Sequence, residues 1–458
     1  MTGPSERLAT ATVARAHARD LPDYDRAAPA PWVHLGLGAF ARAHLATYAD
    51  DLLRDEVPAL VRAVSLRSHR AESALGPQDG LFTVTEREPG VAATPRVLGS
   101  VVSCRTGPEA AVAAIADPAT TFVTLTVTEK GYAPAPPSSG VTAPAVLALG
   151  LARRHAAGLP APVVASLDNV VDNGAVLRAR VLQEAEALDP ALARWVADTV
   201  AFPTSVVDRI VPAATAADRD EVAALLGLRD EAAVVAEHHR SWVIEAVDGL
   251  PPLDRAGVEV VAGIGPYLRR KLWLLNGPHS AVAYAGLLAG CPTIAEAVVD
   301  PRVVPFLAVY VADVLEVADL PARVDGAAFA AEAQRRFANP ATGHTCVQVG
   351  ADGSEKLRQR LLPVVAERRR RGLGTRRCSS VAAAWLAAVA GLDVPGGTPP
   401  AVDDPLADSL RAIGPDSRAL AHVAFADDDA AFADEVAATL DAVLRDGVDA
   451  LTEQDERP

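Results

Sequence analysis

Cysteine is scarce in this sequence. The 458 residues contain four cysteines, which are widely scattered and form no C-x-x-C pair. Disulfide frameworks and structural zinc sites both need closely spaced cysteines or histidines. We therefore expect neither kind of site at Cys104, Cys291, Cys346 or Cys378.

Long apolar runs and an excess of positive charge are also missing. No stretch reaches the roughly 18 apolar residues of a membrane span, and residues 1–25 are mixed and charged, unlike a signal peptide. The 43 Lys and Arg residues are outnumbered by 58 Asp and Glu, which gives a net charge of −15. Such a surface repels nucleic acid and anionic membranes. We expect a cytoplasmic protein whose partner is a small molecule.

The sequence changes character near its middle. The first part alternates short β-rich runs with helical ones, which is typical of a doubly wound parallel sheet. Beyond Tyr267 the apolar residues follow a helical period with few strand signals. We predict an α/β domain over residues 1–264 and an all-α domain over residues 265–458. The predicted strands are 32–35, 61–66, 122–127, 163–166 and 201–205.

A glycine motif follows the first predicted strand. Residues 36–41 read G-x-G-x-x-A and open a helical stretch. Two glycines let the backbone turn tightly and approach a pyrophosphate, whose charge sits at the helix N-terminus. The alternative is a tight strand-to-helix turn that binds no nucleotide.

The segment KLWLLNGPH spaces three polar side chains along an apolar background: Lys271, Asn276 and His279. Apolar surroundings are expected to lower the pKa of the lysine well below its free value of about 10.4. Lys271 is then suited to act as a general base. The other two residues supply hydrogen bonds to an oxygen that gains or loses charge. Pro278 lacks an N–H, so the helix should kink or restart there.

Other polar segments follow predicted strands or helices: TEKGY at 128–132, Asp168-Asn169 with Asn173-Gly174, Asp208-Arg209, and DGSEK at 352–356. Strand ends are where a doubly wound sheet meets its ligand. Each segment also has a structural interpretation. Glu129-Lys130 would be a surface ion pair, the asparagines turn residues, and Asp208-Arg209 a salt bridge.

Six of these segments occur in one order: GLGAFARAH, TEKGY, DN-x3-NG, FP-x4-DRI, KLWLLNGPH and DGSEK. In this the sequence resembles the mannitol dehydrogenase family of polyol-specific long-chain dehydrogenases, from about residue 31 to at least residue 391. That family includes mannitol 2-dehydrogenases and fructuronate reductases (mannonate oxidoreductases). The resemblance implies a metal-independent, NAD(P)-linked secondary alcohol dehydrogenase with a Rossmann-type N-terminal domain and a helical C-terminal domain.

The resemblance also implies roles for single residues. Lys271 matches the general base, and Asn169 and Asn276 match the pair that hydrogen-bonds the reacting oxygen. His279 matches a substrate-binding histidine, while Asp208 and Lys356 match polar residues of the same pocket. The residues implied to bind the cofactor are Gly36, Gly38, Ala39, Phe40, Glu129, Lys130 and Gly131.

The sequence departs from the family in ways that leave the cofactor and substrate open. NAD is the commoner cofactor, but no acid follows the second strand, and Arg67 or Arg70 would suit the 2′-phosphate of NADP. Pro278 replaces the usual serine, and Leu268 replaces a frequent glutamate. Leu268, and Gln348 together with the DGSEK segment, slightly favour D-mannonate/D-fructuronate over D-mannitol/D-fructose as the substrate pair.

The sequence allows four other interpretations. A mannitol-1-phosphate dehydrogenase would use arginines for the phosphate, and a non-catalytic NAD-binding sensor would not need a base. Tyr267 and Lys271 form the Y-x-x-x-K of short-chain dehydrogenases, although packing is the favoured role for the tyrosine. The run 368–371 of four arginines is either an anion site or, as favoured, a solvated helix end.

Overall fold

The computed structural model describes residues 6–88, 90–127, 131–132 and 141–452. The chain divides into two compact units, Met1–Ile264 and Gly265–Pro458. Each unit has buried apolar clusters of its own.

The first unit is built on strands that are mostly buried. In chain order they are β1 (Trp32–Leu35), β2 (Val61–Ser65), β3 (Phe82–Arg87), β4 (Pro95–Leu98), β5 (Val101–Thr106), β6 (Phe122–Leu125), β7 (Val163–Ser166), β8 (Ser205–Asp208), β9 (Val234–Glu237), β10 (Ser241–Glu245) and β11 (Glu259–Val261). Five of them form a parallel sheet in the order β5-β2-β1-β6-β7. Every residue of β1, β6 and β7 is buried, as expected of a parallel sheet covered on both faces. The Rossmann-type fold is confirmed.

Helices connect the parallel strands. They are α1 (Ala39–Ala43), α2 (Leu45–Arg54), α3 (Arg70–Leu75), α4 (Pro108–Ala116), α5 (Ala143–Ala156), α6 (Asn173–Leu188), α7 (Pro190–Thr199) and α8 (Ala216–Leu226). Two smaller sheets, β11-β10-β8 and β4-β3-β9, complete the unit. The sequence patterns did not reveal most of these strands.

Four of the five predicted strands lie where the sequence placed them, and two of these are shorter by one or two residues. The prediction for 201–205 is wrong, since the strand begins only at Ser205. Pro203 has no N–H to donate to a sheet, and the N–H of Thr204 donates to the Glu245 side chain at 2.8 Å.

The described residues of the second unit form helices and connecting turns, so the helical domain is confirmed. The helices are α9 (Gly265–Lys271), α10 (Gly277–Ala289), α11 (Ile294–Ala297), α12 (Val304–Val317), α13 (Gly326–Phe337), α14 (Cys346–Gly350), α15 (Gly353–Arg360), α16 (Leu362–Arg370), α17 (Arg376–Ala390), α18 (Ala407–Ile413) and α19 (Ser417–Asp446). Residues 378–390 of α17 are all buried, so this helix lies in the core. Helices α15 and α16 are separate helices that meet at Leu361 (φ −115°).

Three further properties hold for the described part of the chain. None of its helices has the length and hydropathy needed to cross a bilayer. No group of three or more His, Cys, Asp or Glu side chains within it is arranged to hold a metal ion. All four cysteines are free thiols; Cys291 is half-buried and the others are buried.

Candidate active site

A cleft of about 1000 Å³ opens in the first unit where β1, β2 and β6 end. The loops that follow these three strands line it, at the edge where doubly wound sheets bind their ligands. Four of the residues predicted to bind a cofactor lie in its wall. They are Gly36, Gly38, Ala39 and Gly131.

The first two glycines of the motif have different roles. Gly36 has φ +93°, and a Cβ added there would lie 2.2 Å from the Thr126 carbonyl oxygen. Only glycine fits such a turn. At Gly38 the nearest atom to an added Cβ is 4.0 Å away, so a side chain there would project into open space. Gly36 therefore shapes the loop, and Gly38 keeps its surface open to a ligand.

The structure does not bring Phe40 to the cleft wall. Its ring stacks on His44 with 4.9 Å between ring centroids, and His44 also contacts Tyr48 and Trp242. Burial lowers the pKa of His44 to about 3, and its Nε2 donates to the Ser241 carbonyl at 3.0 Å. This end of the GLGAFARAH segment is thus an aromatic packing cluster. Glu129 and Lys130 lie outside the described residues.

A buried carboxylate stands just beyond β7, in the polar segment that the sequence placed after this strand. Asp168 accepts hydrogen bonds from the Val127 N–H at 2.9 Å and from the Tyr132 hydroxyl at 2.7 Å. It ties the segment after β6 to the end of β7. The neighbouring Asn169 is exposed.

Asn173 is a structural residue. Its side chain is fully buried, donates to the carbonyls of Asp168 and Ser205, and accepts from the Ser205 N–H at 3.0 Å. A Cβ on Gly174 would lie 2.6 Å from the Phe202 carbonyl oxygen. The DN-x3-NG segment thus fixes the start of α6 against β8.

The alternative interpretation of Asp208-Arg209 as a salt bridge does not describe Arg209, which pairs with other residues. Arg209 is buried and donates to the Glu86 carboxylate at 2.7 Å and to the Glu237 carbonyl at 2.9 Å. Asp208 ends β8, is half-buried, and lies 3.5 Å from Nε2 of His239. Asp208 and Arg209 are therefore adjacent in sequence but contact different residues.

In the second unit, a π-helical turn separates α9 from α10. Lys271 ends α9, residues Leu272–Asn276 form the π turn, and the Gly277 N–H donates to the Leu272 carbonyl five residues earlier. Helix α10 starts at Gly277 with Pro278 in its first turn, as the missing N–H predicted. The π turn before it was not predicted.

This turn changes which side chains face the same way. At about 100° per residue, Asn276 would point about 140° away from Lys271 on an α-helix. A π turn closes its hydrogen bonds from residue i to i+5, so the fifth residue returns to a position above the first. Lys271 and Asn276 therefore share one face, and both are half-buried.

His279 lies one turn further on, against other rings. Its imidazole stacks on Phe337 at 4.5 Å between centroids and lies 5.9 Å from the His344 ring. Burial lowers its pKa to about 3, and the nearby positive charges of His344, Arg360, Arg336 and Lys356 act in the same direction. At neutral pH His279 is therefore an uncharged hydrogen-bonding group.

The DGSEK segment orients Lys356. Asp352 adopts a left-handed conformation (φ 53°), and a Cβ on Gly353 would lie 2.3 Å from Nε1 of Trp385. The Lys356 ammonium donates to the carbonyls of Val349 at 3.4 Å and Ala351 at 2.5 Å. Most of the motif is thus packing that sets the start of α15 and the direction of its lysine.

Arg360 supports the π turn and was missed in the sequence. Its Nη1 donates to the Ser280 hydroxyl at 2.9 Å and to the Asn276 carbonyl at 3.4 Å. Burial lowers its pKa. No local pattern links Arg360 to a segment 80 residues away, because the contact depends on tertiary packing.

One compositional signal was available. Only three of the 43 basic residues are lysines, and these are Lys130, Lys271 and Lys356. Arginine stays protonated at any ordinary pH, whereas lysine is able to give up its proton when its surroundings favour it. The small number of lysines therefore limited the candidates for a basic proton-transfer group to three, of which Lys271 is the one proposed here.

Two rival interpretations can be compared with the structure. The Tyr267 ring is 2% exposed, and its hydroxyl accepts from Nε of Arg323 at 2.8 Å, which confirms a packing role. The arginine run is a solvated helix end only in part: Arg370 and Arg371 are exposed, whereas Arg368 is buried and donates to the carbonyls of Gly374 and Asp313. Arg369 pairs with Asp429 and Glu435, and the last two arginines pair with Glu367.

Comparison with known proteins gives concordant matches. The family model of the mannitol dehydrogenase Rossmann domain matches residues 31–254, and that of the mannitol dehydrogenase C-terminal domain matches residues 263–444. An uncharacterized oxidoreductase, YdfI of Escherichia coli K12, is 38% identical, over 84% of this chain and 85% of its own. The D-mannonate oxidoreductase of E. coli K12 is 36% identical, over 82% and 83%. The structure of Pseudomonas fluorescens mannitol 2-dehydrogenase with NAD and D-mannitol is 29% identical, with a TM-score of 0.83 over 97% of this chain and 98% of that one.

Proposed function

The chain belongs to the mannitol dehydrogenase family, and we propose that it is an NAD(P)-dependent dehydrogenase of secondary alcohols whose substrate carries a carboxylate. The reaction is then the interconversion of an aldonate with its ketouronate, such as D-mannonate with D-fructuronate. No metal takes part in the proposed chemistry.

The cationic surroundings of His279 support an acidic substrate. His344, Arg360, Arg336 and Lys356 are all close enough to lower its pKa. A carboxylate is attracted by such a group of positive charges, and most strongly where water is partly excluded. A neutral polyol gains only hydrogen bonds from them, without the attraction between opposite charges. The similarity to a D-mannonate oxidoreductase agrees with this choice.

The cleft of the first unit suits a dinucleotide. Gly38 leaves its edge open, and Arg42 in the same wall has a buried Nε without a hydrogen-bond partner among the described residues. Gly36, Gly38, Ala39 and Gly131 are the residues that would hold it. When bound, a nicotinamide dinucleotide supplies the acceptor for hydride from the carbinol carbon.

The residues of this chain handle the proton. During oxidation, Lys271 accepts the hydroxyl proton of the substrate through its neutral amine. The side-chain amide of Asn276 donates a hydrogen bond to the same oxygen and stabilises the negative charge that builds there. The family resemblance implies the same role for Asn169. In the reverse direction the Lys271 ammonium returns the proton to the carbonyl oxygen.

The remaining predicted residues bind the substrate. His279, uncharged at neutral pH, hydrogen-bonds a neighbouring hydroxyl. The Lys356 ammonium, oriented by the carbonyls of Val349 and Ala351, is the group proposed to attract the carboxylate. Asp208 accepts from further hydroxyls of the sugar chain.

A neutral polyol is the second candidate, because the matched mannitol 2-dehydrogenase structure contains D-mannitol. The sugar phosphate is less well supported, since Arg368–371 are all bonded to carboxylates or carbonyls. A non-catalytic sensor has no use for the pairing of Lys271 and Asn276 on one helix face.

A steady-state screen tests the proposal. The purified chain is assayed with NADH and NADPH against fructuronate, tagaturonate, fructose and fructose 6-phosphate. We expect kcat/KM for a keto acid to exceed that for fructose at least tenfold. Equal or better turnover of fructose would refute the proposal that the substrate carries a carboxylate. Absence of turnover with all four compounds would refute the proposed dehydrogenase activity.

A further inference from the structure

The far end of the cleft in the first unit lacks the group that selects NAD. In dinucleotide-binding folds an Asp or Glu beyond the second strand hydrogen-bonds the adenosine ribose, whereas an arginine nearby accommodates a 2′-phosphate. Here the residues that follow β2 are Ser65-Leu66-Arg67-Ser68-His69-Arg70-Ala71. No carboxylate occurs among them.

The nearest acid in sequence is turned elsewhere. Glu72 lies 3.2 Å from Nδ1 of His69 and 3.9 Å from the Arg105 guanidinium. It is not part of the cleft wall. The wall at this end is instead made by Arg67, Ser68 and Arg70, so no acid of this loop is placed to accept from ribose hydroxyls.

The arginines of this loop are exposed and available. Arg67 and Arg70 are both exposed, and neither guanidinium is in an ion pair with any residue that the structure describes. The Ser68 hydroxyl lies between them in sequence and accepts from the Arg70 N–H at 3.3 Å. Two guanidinium groups and a hydroxyl are a donor set that suits a phosphate monoester.

The charge of the whole cleft is opposite to that of the chain. Its ionisable wall residues are four arginines and one glutamate, although the chain carries −15 overall. They are Arg42, Arg67, Arg70, Arg219 and Glu231. Arg42 lies beside the glycine loop, where a pyrophosphate is expected, which leaves Arg67 and Arg70 for a second anionic group. A phosphate monoester adds about −1.5 to −2 at neutral pH.

We propose that this cleft accepts the 2′-phosphate of NADP(H), held by Arg67 and Arg70. The chain then binds NADP(H) at least as tightly as NAD(H). This inference rests on the proposed dinucleotide-binding function of the cleft and assigns its specificity to two residues.

Calorimetric titration of the full chain tests the proposal without any turnover. The probes are NAD⁺, NADP⁺ and the fragments 5′-AMP and 2′,5′-ADP, which differ only in the 2′-phosphate. We expect 2′,5′-ADP to bind at least tenfold more tightly than 5′-AMP. Equal affinity of the two fragments overturns the proposal.

Paired variants assign the effect to residues. Arg67→Ala with Arg70→Ala should weaken NADP⁺ binding at least tenfold and change NAD⁺ binding by less than about threefold. Arg105→Ala is the matched control, because Arg105 is exposed on β5 and does not line the cleft; both affinities should remain unchanged. An equal loss for both dinucleotides, or no loss, overturns the assignment.

The outcomes separate this inference from the proposed function. Binding of NAD⁺ without NADP⁺ overturns the inference and leaves the dehydrogenase intact. Binding of neither dinucleotide overturns both.

Discussion

The two units carry their candidate functional groups in different ways. In the first unit, the shape of the cleft depends mainly on the backbone: Gly36 turns the loop, and Gly38 leaves space for a ligand. In the second unit the groups are side chains of α9, α10 and the π turn between them, and this turn places Lys271 and Asn276 on the same face. A site made of backbone depends on where strands end, whereas a site made of side chains depends on helix register.

The largest expected effect is at Lys271. Lys271→Ala should lower the rate of alcohol oxidation at least about a hundredfold, the usual scale for a lost general base. Dinucleotide affinity should stay the same, because the cleft of the first unit does not include this residue. Steady-state kinetics and calorimetric titration measure the two quantities.

Lys271→Arg is the matched control for charge. Arginine keeps the positive charge but does not give up its proton near neutral pH, so its rate should fall as far as that of the alanine variant. A near-normal rate in either variant would remove Lys271 from the proposed mechanism.

The next effect contrasts the two glycines of the first unit. Gly36→Ala should destabilise the fold by at least about 2 kcal/mol, because it combines a positive φ with a backbone clash. Gly38→Ala should cost less than about 1 kcal/mol, since no atom approaches its Cβ position closer than 4.0 Å. It should instead weaken dinucleotide binding at least tenfold. Chemical denaturation and titration of each variant distinguish the two roles, and equal losses of stability would contradict them.

The same difference explains what the sequence predicted. Strand ends and paired glycines are local signals in the sequence. They predicted a ligand cleft at the ends of the parallel strands, with Gly36 and Gly38 in its wall. The small sheets did not, because their short strands lack clear periodicity. The partners of Asp168, Val127 and Tyr132, were not predicted, because they come from another strand end.

In the second unit, apolar periodicity predicted the helices but not the π turn. The period of apolar residues shows which face is buried, whereas a π turn is a change in hydrogen-bond register. Pro278 signalled a new helix start, and α10 does begin at Gly277. Arg360, which donates to the Asn276 carbonyl, lies on another helix, so only the packed structure reveals it.

The smallest expected effect concerns two histidines, one in each unit. The pKa of His44 and of His279 is lowered to about 3, mainly by burial, against about 6.5 in the unfolded chain. Between these values the unfolded state binds more protons. The stabilisation by neutral histidine is therefore complete above pH 6.5 and is lost as pH falls toward 3.

Thermal unfolding at pH 7 and pH 5 measures this loss. The fall in Tm between the two values should be smaller in His44→Gln and in His279→Gln than in the unaltered chain. The two histidines should contribute about equally, because both remain neutral in the folded chain at pH 5. Exposed His69 is the control, and His69→Gln should leave the fall unchanged. An equal fall in all four proteins would show that neither buried histidine resists protonation.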